Sequence, residues 1–389
     1  MIAWSRARGL AHELGAARPR RVLTLPVDRA AGSTLAADAR ARRALPRFDN
    51  SAMDGWAVAG DAPWRVGEPV LAGHAPPSMP LSPGEARPIA TGAPVPPGTV
   101  TVLRTEDAIP QLAGSDGLLD TLVTPDPGRD IRRMGEEAMA GEVLLEAGSR
   151  LTPPALGLLL AAGVQEVTVA SPPDVSFIAI GDELGGAESP GHVTDSLTPM
   201  MPAVLAALGG RCATAVRTPD DPARVAHAIS RGRTQLVVTA GGTAHGPADP
   251  LRTSLRLLDA PILLDGVDLR PGGSVLIADL GDGRTLLGLP GNPLAAIVDL
   301  LVLGWPLLQG RLGGGIPPLS PWADAMDGLA GARVGLRADG RDRAIACALV
   351  DGSLEPVRHQ RSGMLRGIAS ATHLALVSDS RVDVMHLPW

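Results

Sequence analysis

Three carboxylates and a set of glycines lie where this chain could handle phosphate. Asp182 and Glu183 follow the apolar run 175–180 within GDEL, and Asp249 precedes Pro250 in TAGGTAHGPADP. Paired carboxylates at the end of a buried strand can take a hydroxyl, an amide edge or Mg²⁺. A solvated turn explains the same two residues without chemistry. Gly241, Gly242 and Gly246 stand between a short apolar strand, 235–238, and a helix opened by Asp249 and Pro250. Strand, glycine loop and helix start bring bare backbone N–H groups and the positive end of a helix dipole to one point. That is an anion site, typically for phosphate. Asp249 has two readings there: the N-cap of the helix, or a carboxylate holding Mg²⁺ against a substrate phosphate.

Two further stretches crowd polar groups. In PRFDNSAMDGWAV, residues 46–58, Asp49, Asn50, Ser51 and Asp54 gather beside Met53, Gly55 and Trp56, which reads locally as an Asx or Ser turn entering a strand. In GRDIRRMGEE, Arg129, Arg132 and Arg133 alternate with Glu136 and Glu137, either an anion clamp or a solvated face. Cys212 and Cys347 are the only cysteines and the eight histidines are scattered, so no local thiolate or HExxH-type metal site can be written.

Composition narrows the classes. The chain has 389 residues, 45% hydrophobic and 20% charged, enough for two to four globular domains. Its net charge of −6 argues against a nucleic-acid binder that works by neutralising phosphates. All 35 basic residues are Arg, with no Lys and no Tyr, which removes Schiff-base and P-loop lysine chemistry. The start, MIAWSRARGLAHEL, carries no secretory apolar region, and no run approaches the length of a membrane span. The expectation is a cytoplasmic protein that needs neither membrane nor nucleic acid.

The elements that would position the carboxylates follow from periodicity. A mildly amphipathic helix opens the chain, and the Ala- and Arg-rich run 34–45 reads as a second helix. Residues 46–128, dense in Pro, Gly, Val and Thr, read as an inserted β-domain. The flanks, 1–45 and 129–171, then form a discontinuous helical or mixed domain, with a helix at 153–162. From 172 to 312 strands alternate with helices, the pattern of a parallel sheet covered on both faces. Ligands bind at the carboxyl ends of such strands. GDEL, TAGGTAHGPAD and LPGNP all fall there. A Gly- and Pro-rich linker leads to a C-terminal β-domain, 318–389.

Ordered motifs then add a resemblance. SAMDGWA at 51–57, Gly84-Glu85, ATGAP at 90–94, IRRMGEE at 131–137, GDEL at 181–184, the 241–249 loop, Pro271-Gly272, LPGNP at 289–293 and QRS at 360–362 are similar, in order, to motifs of the molybdopterin molybdenumtransferases. This is the family of the bacterial MoeA proteins and the gephyrin E domain. The resemblance implies an α/β and β multidomain fold: a parallel α/β molybdopterin-binding domain, an inserted β-domain and a C-terminal β-barrel, in an elongated homodimer. It implies Mg²⁺-dependent insertion of molybdate into adenylylated molybdopterin, with release of AMP. A molybdopterin adenylyltransferase is the implied protein partner.

Site residues carry over by motif. Asp54, Glu183, Asp249 and Arg270 become the catalytic set, with Glu183 and Asp249 as metal ligands. Thr91, Asp182, Asp195, Gly241, Gly242, Gly246, Gly291, Asn292 and Ser362 become ligand-binding. The cleft is shared between subunits, with Asp54 and Thr91 coming from the second copy. The departures are specific. Ala244 and Ala295 replace serines, Leu197 replaces an asparagine, and the turn lysines and the following proline fall at Arg270, Gly273 and Ser274. They raise an alternative: a paralogue that binds molybdopterin or a partner protein without inserting metal.

Overall fold

The computed structural model describes residues 1–74, 79–110, 117–185, 190–243, 249–321, 340–378 and 381–389. These fall into two compact units, 1–23 with 148–150 and 168–389, and 24–147 with 151–167.

The second unit is built on a six-stranded sheet. Its order is Thr101–Arg104, Gly55–Ala59, Glu85–Ile89, Trp64–Val66, Leu118–Thr121, Ala108–Pro110. All neighbours are antiparallel except Trp64–Val66 beside Glu85–Ile89. Alternation splits the strand Gly55–Ala59 between two cores. Ala57 and Ala59 pack with Ile89 and Val102, while Val58 packs with Trp64, Ala86 and Leu103. The register Gly55↔Ile89 has a consequence for chemistry: Asp54, just before one strand, lies beside Thr91, just after the other. Pro153–Ala161 is a helix capped by Thr152. The run 34–45 is not a helix. It is extended, with Ala39–Arg40 paired to Val143–Leu145, and Ala39 and Ala41 buried on either side of exposed Arg40. Ala and Arg are good helix formers, but intrinsic propensity yields to tertiary pairing, and the period-2 burial of the alanines decides the state.

The first unit carries a six-stranded sheet in the order Arg211–Thr218, Asp174–Ile180, Leu236–Ala240, Thr285–Leu289, Leu276–Asp279, Ile262–Asp265. The first four strands are parallel; Leu276–Asp279 runs antiparallel to both of its neighbours, so Ile262–Asp265 has the direction of the first four. The parallel sheet expected from the alternation is present, and a hairpin extends it at one edge. The cause is the turn Leu280–Arg284, where Gly281, Asp282 and Gly283 all take positive φ and return the chain as a hairpin. Helices Leu197–Ala207, Pro293–Asp299 and the opening helix Trp4–Ala16 lie on one face, sharing a core with Val175, Phe177 and Leu287. Pro222–Arg231 and Pro250–Leu257 lie on the other, around Ile178, Ile180 and Leu286. The opening helix thus packs on Trp305–Leu312 of this unit, and Pro153–Ala161 belongs to the other, so the two do not form one flanking domain.

Pro293–Leu312 is long and apolar enough to cross a membrane by length and composition, yet most of it is buried inside the unit. It is interrupted by a π-helical segment, Leu300–Gly304. The C-terminal part is a five-stranded antiparallel sheet in the order Ser320–Pro321, Val382–His386, His373–Val377, Arg343–Val350, Ser353–Pro356.

Candidate functional site

A cleft of about 1110 Å³ opens at the carboxyl ends of three adjacent parallel strands. Register places it. Ala179, Ala240 and Leu289 are aligned across the sheet, so the chain leaves all three strands at one level. Glu183, Asp195, Asp220, Gly241, Gly242, Thr243, Asp249, Ser274, Gly291 and Asn292 are among the residues lining it.

Gly241 is required by geometry. It has φ +98°, its N–H donates to the Leu289 carbonyl at 3.0 Å, and a Cβ there would collide with the carbonyl of Ile180. Only glycine lets the loop turn this close to two neighbouring strands. Gly242 follows with φ +66°, while Gly246 lies outside the described residues.

Asp249 is buried, and its roles are visible. Oδ1 accepts from the N–H groups of Leu251 and Arg252 at 2.9 and 3.1 Å, and Oδ2 lies 3.3 Å from Arg252 Nε. Arg252 also forks onto Asp265 at 2.6 and 2.7 Å. The N-cap reading holds, and an ion pair is added to it. Replacing Asp249 by alanine is expected to cost about 1–2 kcal/mol through the lost cap, measured by urea unfolding. An unchanged midpoint would show that the cap contributes nothing.

The second helix start, at LPGNP, is closed differently. The Ser362 carbonyl accepts from Leu294 N–H at 2.9 Å and Ala295 N–H at 3.2 Å, and Gly363 lies against Asn292. Ser362 therefore works through its main chain. The Gly241 N–H is spent on Leu289, so within the described part of this loop the N–H groups of Gly242 and Thr243 are the ones that can face an anion.

Asp182 does not line the cleft, but it exchanges main-chain bonds with Asp220, which does: each N–H donates to the other's carboxylate at 3.2 Å. Asp220 was missed in the sequence. Asp195 caps the next helix through Thr198 N–H at 2.9 Å and faces Arg217 at 3.3 Å. Arg270 is exposed and is not among the lining residues. Its main chain is held by Asp342 and Ala344.

In the other unit, Asp54 Oδ1 accepts from the Thr91 N–H at 2.6 Å and hydroxyl at 2.9 Å. The Thr91 N–H, then its hydroxyl, hold the Asp54 carboxyl below the usual range. Thr91→Val removes the smaller of the two donors. The Asp54 carboxyl is then expected to titrate higher, yet still below an ordinary aspartate, in an NMR pH titration. The arginine run 129–133 is no free clamp: Arg133 pairs with Asp49 at 2.7 Å, and Arg129 and Arg104 with Asp130. Ser51 makes the turn expected of it, accepting from Met53 N–H at 3.4 Å.

The fit to Mg²⁺ can be tested on this donor set. Among the described residues no three His, Cys, Asp or Glu side chains converge on one point. Four carboxylates do line one cleft, two of them paired with arginines outside the lining, Asp249 with Arg252 and Asp195 with Arg217. That suits an ion carried by one or two carboxylates and completed by water and phosphate oxygens, the usual Mg²⁺ arrangement. Asp249 is the weaker ligand of the pair expected, because its oxygens already serve the cap and Arg252.

Comparison with known proteins gives the following. A profile described as the MoeA N-terminal region (domain I and II) matches residues 3–163, and one described as a probable molybdopterin binding domain matches 176–310. Molybdopterin molybdenumtransferase 2 of Mycobacterium tuberculosis is 30% identical over 404 residues, covering 97% of this chain and 95% of that one. The molybdopterin molybdenumtransferase of Synechococcus elongatus is 33% identical over 311 residues, 75% and 76% of the two chains. A crystal structure of the molybdopterin biosynthesis MoeA protein from Pyrococcus horikoshii OT3 superposes with a TM-score of 0.77 at 18% identity, covering 99% and 100%, and shows the same fold.

Proposed function

The chain belongs to the molybdopterin molybdenumtransferase family, whose role is in molybdenum cofactor biosynthesis, and from that premise we propose that it inserts molybdate into adenylylated molybdopterin with release of AMP. The observation that carries this reading is the cleft at the strand ends. Its 241–243 loop offers main-chain donors to phosphate, and its side-chain charge is wholly acidic among the described lining residues. A polyanionic pterin enters such a cleft with a divalent cation. Mg²⁺ bound there would offset phosphate charge and polarise a phosphoryl oxygen. Glu183 is its first ligand in this reading, with Asp220 and Asp249 at the margin. Gly241 shapes the turn so that the N–H groups of Gly242 and Thr243 hold the phosphate, and Asn292 and Asp195 face the rest of the ligand.

Asp54 and Thr91 complete the site from a second copy of the chain in a cytoplasmic homodimer. Their bonded pair presents an ionised carboxylate to the reacting end, and Arg270 keeps a positive charge at one of the family's lysine positions. A molybdopterin adenylyltransferase is the source of the substrate. A second reading, pterin binding without metal insertion, is favoured by one observation. Gly273 stands where the family has a lysine, in a conformation no lysine adopts easily (φ +85°). The test supplies adenylylated molybdopterin, Mg²⁺ and molybdate and follows AMP release and reconstitution of an apo-molybdoenzyme. Turnover supports the first reading, tight pterin binding without turnover the second, and neither would defeat both.

A further inference from the structure

Asp299 is a carboxylate in the wrong company. It sits in Pro293–Asp299, inside a run of buried Leu, Ala, Ile and Val, and is 1% exposed. Among the described residues no cation pairs with it; its partner is a main-chain group. The Gly273 N–H donates to Oδ1 at 2.9 Å and Oδ2 at 3.1 Å. Burying a carboxylate with one N–H as partner costs stability, so packing alone gives no reason for an acid here.

What the acid does is hold a turn. Residues 271–274 connect Val267–Asp268 to Leu276–Asp279, and Ser274 lines the cleft. Gly272 (φ +108°) lies against the Asp299 carboxylate, where a Cβ would stand 2.6 Å from Oδ1. Gly273 closes the turn from the other side, its carbonyl accepting from the Val267 N–H at 3.0 Å. Directly after Asp299 the helix widens into its π-helical segment, a local departure often associated with functional positions.

We propose that Asp299 is a positioning residue for the reaction: its carboxylate grips the Gly273 N–H and so fixes the 271–274 turn that presents Ser274 to the cleft. The proposal rests on the function argued above for its kinetic consequence, but not for the grip itself. Two variants of the full chain separate them. Asp299→Leu removes the acceptor; Asp299→Asn keeps one.

Amide hydrogen exchange over 271–274 is expected to rise about tenfold in the leucine variant, with the strand Thr285–Leu289 unchanged. With adenylylated molybdopterin, Mg²⁺ and molybdate, kcat is expected to fall about tenfold in the leucine variant and less in the asparagine variant, with KM for the pterin little changed. Wild-type exchange at Gly273 in the leucine variant would overturn the proposal. Equal kcat losses in both variants, in step with their melting temperatures, would also overturn it. If the unaltered chain shows no turnover, the functional reading fails, and exchange at Gly273 still decides whether Asp299 holds the turn. Should the leucine variant not fold, Asp299→Val, which also lacks an acceptor, takes its place: exchange at Gly273 like the unaltered chain would overturn the proposal.

Discussion

Replacing Asp299 by asparagine is expected to stabilise the protein by about 3 kcal/mol more at pH 8 than at pH 5. Burial pushes the Asp299 carboxyl up to about 7 from an ordinary 3.8, against a smaller opposing effect of the Gly273 N–H. The sign follows from which state releases its proton first. Below about pH 4 the group is protonated folded and unfolded, and it exerts no pH effect. Between about 4 and 7 the unfolded chain ionises while the folded chain does not, so the folded state loses about 1.4 kcal/mol per pH unit. Above 7 both are ionised and the penalty is constant. An asparagine does not titrate, so the difference between variant and parent should grow through that window and then level off. Guanidinium unfolding at pH 5 and pH 8 measures it. The same difference at both pH values would mean that the buried acid titrates normally.

This expectation also separates structure from function at one residue. A side chain retained for stability should weaken the protein when removed. Asp299 is expected to do the reverse above neutral pH while slowing the reaction, the pattern of a group kept for the geometry it imposes.

Much of the molecule was legible in its sequence because local chemistry and tertiary structure agree there. Asp249 caps the helix assigned to it, with proline following. The three motif loops converge because parallel strands start level and end level, which periodicity alone implies. What failed did so where the deciding partner was distant in sequence. The strand Ala39–Arg40 exists because Val143–Leu145 runs beside it, and nothing within 34–45 records that pairing. The antiparallel edge was signalled by Gly281-Asp282-Gly283, a hairpin turn passed over while following the α/β alternation. Within the site, glycine spacing and the caps were readable. Ser362 was assigned as a ligand contact, yet its visible role is to close a helix start through a carbonyl, which any residue type supplies. Asp299 was unreadable for the opposite reason: its identity is unusual, but its partner lies 26 residues away.

Gly273→Lys, which would restore the family's residue, is expected to lower stability by about 2–5 kcal/mol and not to raise turnover. Motif comparison alone argues the other way, since molybdate is a dianion and a lysine would add a charge-assisted hydrogen bond worth about 1.5–3 kcal/mol. The local geometry opposes it. At φ +85° an L-residue pays roughly 1–2 kcal/mol. A Cβ would stand 2.5 Å from the Val267 carbonyl oxygen and 2.7 Å from that of Leu269, so main chain must move, not a flexible side chain. Any such shift pulls the Gly273 N–H away from Asp299 and leaves a buried carboxylate without its donor, about 1–3 kcal/mol more. Thermal and urea unfolding of the variant, beside the AMP-release assay, decide the matter. A variant as stable as its parent and faster in AMP release would show that the turn accepts a side chain and that the pocket lacked only its charge. The outcome expected here is a loosened turn, which makes the glycine at 273 and the aspartate at 299 two halves of one arrangement.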